Sequence, residues 1–307
     1  MKIEEYNHKT YNPLLKILFF LLIVGFTTVI FSLFGLFISS KIFGIPFDGA
    51  SSIPALMQNI DAMILMQIIS AIGMFVVPVF VYANTFEKNA LSFLKLNKVP
   101  TLKAILFTIA IFFMANFVLD LLVKLMYLIP FENFDSEWIK TMLQAETENE
   151  NTLKKFLDFK SPMKFIAVFF MMAVLPALGE ELTFRGVFMN LVEENSKNYI
   201  IAILISAFVF AVIHVQLHNF LAIFFMGMVL GYVYYLTKNL WVSIVAHLFN
   251  NGLIVVMSYL NNIGVLTFDF TEKDDMPLIV SIFGAILFFV VFHFYKKFIL
   301  NENSING

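Results

Sequence analysis

The sequence predicts an all-α polytopic integral membrane protein with about eight transmembrane helices. Three observations carry this. Hydrophobic residues make up 60% of the chain, charged residues only 14%, and the mean hydropathy is +0.85, well outside the range of soluble globular domains. The apolar residues come in runs of roughly 20, the length that crosses a bilayer as a helix. The runs lack the period-2 alternation of a membrane barrel, so helices are the remaining spanning structure.

The predicted spans, in order, are 13–40, 63–83, 103–129, 163–192, 198–215, 218–237, 239–260 and 276–300. The first follows MKIEEYNHKTYNPLL with no small-residue cleavage site, which reads as a retained anchor and not a signal peptide. Lysine placement sets an orientation. With both termini inside, Lys2, Lys9, Lys16, Lys88, Lys95, Lys98, Lys103, Arg185, Lys197, Lys238, Lys296 and Lys297 fall on the inner side, and Lys41 and Lys273 on the outer. Segment 130–162 fits neither side. It mixes Lys140, Lys154, Lys155 and Lys160 with Glu132, Asp135, Glu137, Glu146, Glu148, Glu150 and Asp158, which suggests a solvated, partly helical cap. The Gly227-Met-Val-Leu-Gly231 spacing suits close packing of helices within the chain.

The net charge is −2 and no basic patch stands out, which sets nucleic acid aside. There is no cysteine. Disulfides and thiolate metal sites are thereby excluded, and His and carboxylate are left as the strong ligands.

Ionisable groups inside apolar spans are expensive and mark function by default. Asp120 and Lys124 stand four apart, which an intrahelical ion pair explains. His293 lies beside Lys296 near a span end, an interfacial position. The remaining groups are Glu180, Glu181 and Arg185 in the fourth span, His214 with His218 at the end of the fifth, and His247 with Asn251 in the seventh. Glu181 and Arg185 are spaced i, i+4 for a helical salt bridge. Arg185 is the only arginine among 20 basic residues, so a planar, two-pronged partner is implied where lysine would not serve. Glu180 is rotated about 100° from Glu181 and has no such cation, leaving one braced carboxylate and one free one. Pro176, a turn before Glu180, loosens the backbone there, and Gly179 and Gly186 allow close helix approach. His218 reads as part of a short turn, with capping as its role.

At 1.5 Å per residue, Glu180, His214, His247 and Asn251 lie at comparable depth from the same membrane face. Two mechanisms suit that set. Either Glu180 and His214 activate a water while His247 and Asn251 stabilise an oxyanion, or Glu180, His214 and His247 hold a divalent metal such as zinc that acidifies the water. Asn251 favours the metal-free version, because an amide is a poor zinc ligand and a good oxyanion donor.

The stretches Glu180-Glu181-Leu-Thr-Phe-Arg185, Phe210-Ala-Val-Ile-His214 and His247-Leu-Phe-Asn-Asn251 resemble the motifs E-E-x-x-x-R, F-x-x-x-H and H-x-x-x-N of the CPBP (CAAX protease and bacteriocin-processing, or Abi) family. The resemblance covers about residues 163–257. It implies a four-helix catalytic core flanked by N-terminal helices and the acidic loop (1–162) and by a last helix and tail (258–307). It also implies an intramembrane endopeptidase acting on membrane-embedded or lipidated protein or peptide substrates. In that reading Glu180 and His214 activate water, His247 and Asn251 act as oxyanion or metal partners, and Glu181 and Arg185 support them. A bacterial cytoplasmic membrane is the expected setting, with peptide maturation or bacteriocin self-immunity among the implied roles. Two rivals are a transporter or proton relay and an inactive scaffold or immunity protein built on the same fold.

Overall fold

The structure, a computed structural model, describes residues 11–49, 51–266 and 276–306, with side chains to residue 301. Lys2, Lys9 and Lys273, used above to orient the chain, lie outside these residues. The described chain is helical, with no strand among the described residues. Helix α1 is Pro13–Phe43, α2 Ser52–Gln58, α3 Ile60–Phe86, α4 Leu102–Met126, α5 Glu137–Leu157, α6 Pro162–Ser196, α7 Tyr199–Ile213, α8 Phe220–Thr237, α9 Leu240–Asn262 and α10 Leu278–Asn306.

Among the described residues seven helices are long and apolar enough to cross a membrane. The fifth predicted span, 198–215, is the exception. Its helix, α7, has 15 residues and ends at Ile213, which corrects the expectation of a full-length span there. Hydropathy taken over a window does not place that stop, because Val215 and Leu217 follow His214. Helix α2 was not anticipated.

Starts and stops follow capping chemistry. Pro13 opens α1 behind Asn12, whose side chain accepts from the Leu14 N–H. Asn198 and Asn239 cap α7 and α9 in the same way, each satisfying amides with no partner in the helix. Lys197 and Lys238 close α6 and α8 in left-handed conformation, the usual chain reversal at a helix C-terminus.

Helix α6 is the spine. It packs on α9 along one side, on α3 along another, and its last turns lie against α7. Helix α4 packs against α8, α9 and α10, while α1 lies on α3. Of α1 only a narrow stripe, Phe20, Thr27, Gly35 and Ser39, is buried, as befits a helix with most of its surface toward lipid. Gly227 and Gly231 of α8 face α7. A Cβ at Gly227 would lie 3.0 Å from the Cβ of Ala207, and one at Gly231 3.4 Å from Ile203, so the small-residue spacing does pack within the chain. The ion pair of Asp120 and Lys124 forms and also takes in Ser281 and the Met276 carbonyl, tying α4 to α10. His293 is exposed.

Three wide-turn segments interrupt this regularity, Ile72–Val76 in α3 and Phe170–Val174 and Leu182–Phe188 in α6. Two of them end two residues before Pro78 and Pro176. A proline inside a helix supplies no N–H and presses its ring on the preceding turn. The backbone responds by switching to i→i+5 bonds, Val77 N–H to Ile72 O and Leu175 N–H to Phe170 O, the local adjustment that makes a spanning-helix proline tolerable. The wide turns of α3 and α6 meet. Thr183 Oγ1 donates to the Phe75 carbonyl at 2.9 Å, and a Cβ on Gly179 would stand 2.7 Å from the Cβ of Phe75. Gly179→Ala is therefore expected to push α3 off α6 and destabilise the protein by about 1–3 kcal/mol. A thermal unfolding midpoint equal to wild type would show that the two helices are not in that contact.

Candidate functional site

Glu180 and Glu181 sit in the middle of α6, between its two wide turns. Glu181 is fully buried, as is Arg185. An unpaired charge there would cost several kcal/mol, and the two side chains meet as the spacing predicts, Arg185 Nη1 to Glu181 Oε1 at 2.8 Å. The second guanidinium nitrogen, Nη2, donates to the Gly227 carbonyl of α8 at 2.9 Å. The guanidinium carbon lies over the Phe210 ring of α7, 5.0 Å from its centre, a cation–π arrangement. One arginine thus ties three helices together, which a single-point ammonium would not do.

His247 of α9, also buried, stands between the two carboxylates. Its Nδ1 is 3.0 Å from Glu181 Oε1, and its Nε2 is 3.8 Å from Glu180 Oε2. Helical spacing alone pairs Glu181 with Arg185 and turns Glu180 in another direction. Folding brings both acids to one imidazole, on opposite nitrogens. Because an arginine-paired carboxylate accepts and does not donate, Nδ1 carries the hydrogen in that bond, and in the neutral ring Nε2 is the acceptor facing Glu180. Glu180 itself makes no hydrogen bond to any described residue, and its side chain is 12% exposed.

His214 caps the C-terminus of α7. Its Nδ1 lies 2.6 Å from the Phe210 carbonyl; a carbonyl only accepts, so this ring too carries its hydrogen on Nδ1. No hydrogen bond joins His214 to Glu180 or to His247. What they share is Phe210, whose ring centre is 4.6 Å from that of His214 and 6.1 Å from that of His247. This is a packing reason for an aromatic residue four positions before the histidine.

Asn251 lies one turn beyond His247. Its Nδ2 donates to the Met172 carbonyl at 3.4 Å, the oxygen that would have bonded an N–H at position 176 had that residue not been proline. The neighbouring Asn250 donates to Asn251 Oδ1 at 3.3 Å, which fixes which end of the Asn251 amide is the donor. Sequence reasoning missed Asn250 and the link to Met172. The Asn-Asn pair and the Pro176 spacing were the available signals, and neither specifies a partner across helices.

The alternative ligand set of Glu180, His214 and His247 does not fit a metal ion as arranged. Among the described residues no group of three His, Asp or Glu side chains is placed to hold one. His218 belongs to a different cluster. Its backbone N–H and Nδ1 meet the buried carboxylate of Glu146, at 3.2 and 3.0 Å.

Chemically, the site offers a carboxylate without a hydrogen-bonding partner among the described residues, an imidazole oriented by a second, arginine-paired carboxylate, and an amide donor one turn away. A water bonded at about 2.8 Å to both Glu180 Oε2 and His247 Nε2 fits geometrically over their 3.8 Å separation.

Comparison with known proteins agrees with the part of the chain that carries these residues. Residues 162–253 match the family model described as type II CAAX prenyl endopeptidase Rce1-like. The chain is 31% identical over 110 residues to YdiL of Bacillus subtilis, which carries the provisional name of a membrane peptidase; the match spans 36% of this chain and 43% of YdiL. It is 32% identical over 100 residues to MroQ of Staphylococcus aureus, named as a membrane-embedded CAAX protease, across 31% of this chain and 40% of that one. The chain thus spans about two fifths of the length of these curated relatives. No solved structure matches it. Residues 162–253, the segment holding Glu180, Glu181, His214 and His247, are thus the part of this membrane protein that is similar to CAAX-type membrane peptidases.

Proposed function

We propose that the protein is an intramembrane endopeptidase that hydrolyses a peptide bond of a membrane-associated or lipidated protein or peptide. The observation that carries this reading is the pair of carboxylates bracketing His247, one of them, Glu180, without a hydrogen-bonding partner among the described residues. In the proposed reaction a water held by Glu180 attacks the scissile carbonyl carbon and gives its proton to the carboxylate. The tetrahedral oxyanion is stabilised by Asn251 Nδ2, and the proton passes on to the leaving amine, which departs as the C–N bond breaks. His247, oriented through Nδ1 by Glu181, holds the same water from its Nε2 side. That differs from the oxyanion role assigned above, because a neutral ring with its hydrogen on Nδ1 has none on Nε2. The water has two hydrogens: one is directed to Glu180 and the second to His247 Nε2 or, in its place, to His214 Nε2, since His214 also carries its hydrogen on Nδ1.

The depth of the site supports that substrate class. Glu180 is roughly 24 Å along α6 from Ser196, a depth suited to peptides that enter from the bilayer. With the lysine-rich helix ends in the cytoplasm, both termini are placed inside.

The test is cleavage of a library of membrane and lipidated peptides by purified protein in detergent, wild type against Glu180→Ala. Cleavage by wild type and its loss in the variant are expected; equal cleavage by both removes the enzyme reading. Activity retained after exhaustive chelation is expected as well, and its loss, restored by zinc, would replace this mechanism with a metal-assisted one.

A further inference from the structure

We infer that Glu146, on a helix outside the matched family core, is a positioning residue that sets the place of His214 through the loop joining α7 and α8. The inference rests on the hydrolase reading above for its effect on turnover, but not for its effect on the loop.

Helix α7 stops at Ile213, and residues 214–219 form a short connection that bears His214 at its start. The next residue, Val215, has φ of +52°. For a β-branched residue this left-handed conformation costs on the order of 1–3 kcal/mol and persists only where neighbouring structure enforces it. The enforcing contact comes from α5. Glu146 is buried to 3% exposure, although Thr147, Glu148 and Asn149 beside it are exposed. Its two oxygens collect three donors from the far end of the connection: the His218 N–H at 3.2 Å, His218 Nδ1 at 3.0 Å and Asn219 Nδ2 at 3.5 Å. The His218 ring is stacked on Tyr127, the residue that follows α4, at 4.1 Å and meets the edge of Phe131 at 5.4 Å. The far end of the loop is pinned by one carboxylate, its near end is the histidine of the site, and the strained residue lies between them.

Helix α5 is itself fixed. Phe156 and Leu157 are buried in a cluster with Val168 and Val255, and Asn262 Nδ2 of α9 donates to the Phe159 carbonyl at 3.0 Å. Removing the Glu146 carboxylate thus frees the loop while leaving the helix docked. Val215 then has a route to relax, and His214 moves with it.

The experiment uses full-length protein carrying Leu217→Cys, the single thiol in a chain that has no cysteine, with and without a change at Glu146. In Glu146→Ala we expect thiol labelling at position 217 to accelerate at least about tenfold and kcat to fall about tenfold or more, with KM within about twofold, since misplacing a reacting group without altering the binding surface acts on turnover. Glu146→Gln offers one acceptor oxygen where three donors converge, so about a threefold loss of kcat is expected. This variant carries the test if Glu146→Ala fails to fold. Labelling and kcat both at wild-type level in a folded variant would overturn the inference, as would a change confined to KM. If wild type cleaves no peptide at all while labelling still rises in Glu146→Ala, the hydrolase reading falls and the loop's dependence on Glu146 stands.

Discussion

Glu180→Gln is expected to lower turnover by at least about 10²–10⁴-fold while leaving the protein folded. Glutamine has the shape of glutamate and keeps one oxygen, but it cannot take a proton from water at neutral pH. Glu180 forms no hydrogen bond to described residues and is partly exposed, so its charge contributes little to holding α6 in place. The measurement is kcat beside a thermal melt in the same detergent. A melt within a degree or two of wild type together with near-complete loss of turnover is the expected pair. Turnover within tenfold of wild type would move the base to another group, and a collapsed melt would mean that the carboxylate holds the bundle together.

The second large effect is on stability and concerns Arg185. Arg185→Lys is expected to cost about 3–5 kcal/mol, as breaking one side of a buried ion pair does, because one ammonium does not reach both Glu181 and the Gly227 carbonyl from the places the guanidinium nitrogens now occupy. Glu181 would be left buried and short of a partner. Its hold on Nδ1 of His247 would weaken with it. Removing both charges, as in Glu181→Leu with Arg185→Met, is expected to recover much of the lost stability without recovering turnover, since His247 loses its orienting acceptor. Folded yield and midpoint of Arg185→Lys equal to wild type would contradict the clamp. Wild-type turnover in the double variant would contradict the orienting role of Glu181.

The sequence was sufficient for the membrane-helix architecture because hydropathy is a one-dimensional signal. A run of about 20 apolar residues has few other stable fates, and seven of the eight predicted spans appear as helices of the required length among the described residues. The Glu181–Arg185 pair was legible for a similar reason: helical periodicity alone puts i and i+4 on one face. The acidic segment between spans was also readable as a cap, since its charges forbid a membrane run, and α5 occupies that place.

The partners across helices were not legible. That Glu180 and Glu181 would address opposite nitrogens of the same imidazole depends on how α9 packs on α6, and no periodicity in either helix contains that angle. Asn251 reaches the Met172 carbonyl, and Thr183 the Phe75 carbonyl, because prolines widened two distant turns. The sequence announces the prolines but not which side chain will meet the backbone they disturb. Glu146 looked like one acid among several in a solvated loop. Only docking of α5, fixed by its apolar end, turned that one acid inward onto His218. Apolar pattern and helical spacing are local properties and travel with the chain; the choice of which polar groups meet in the interior is made when helices pack, since an unpaired buried polar atom is costly and its partner can come from anywhere in the bundle.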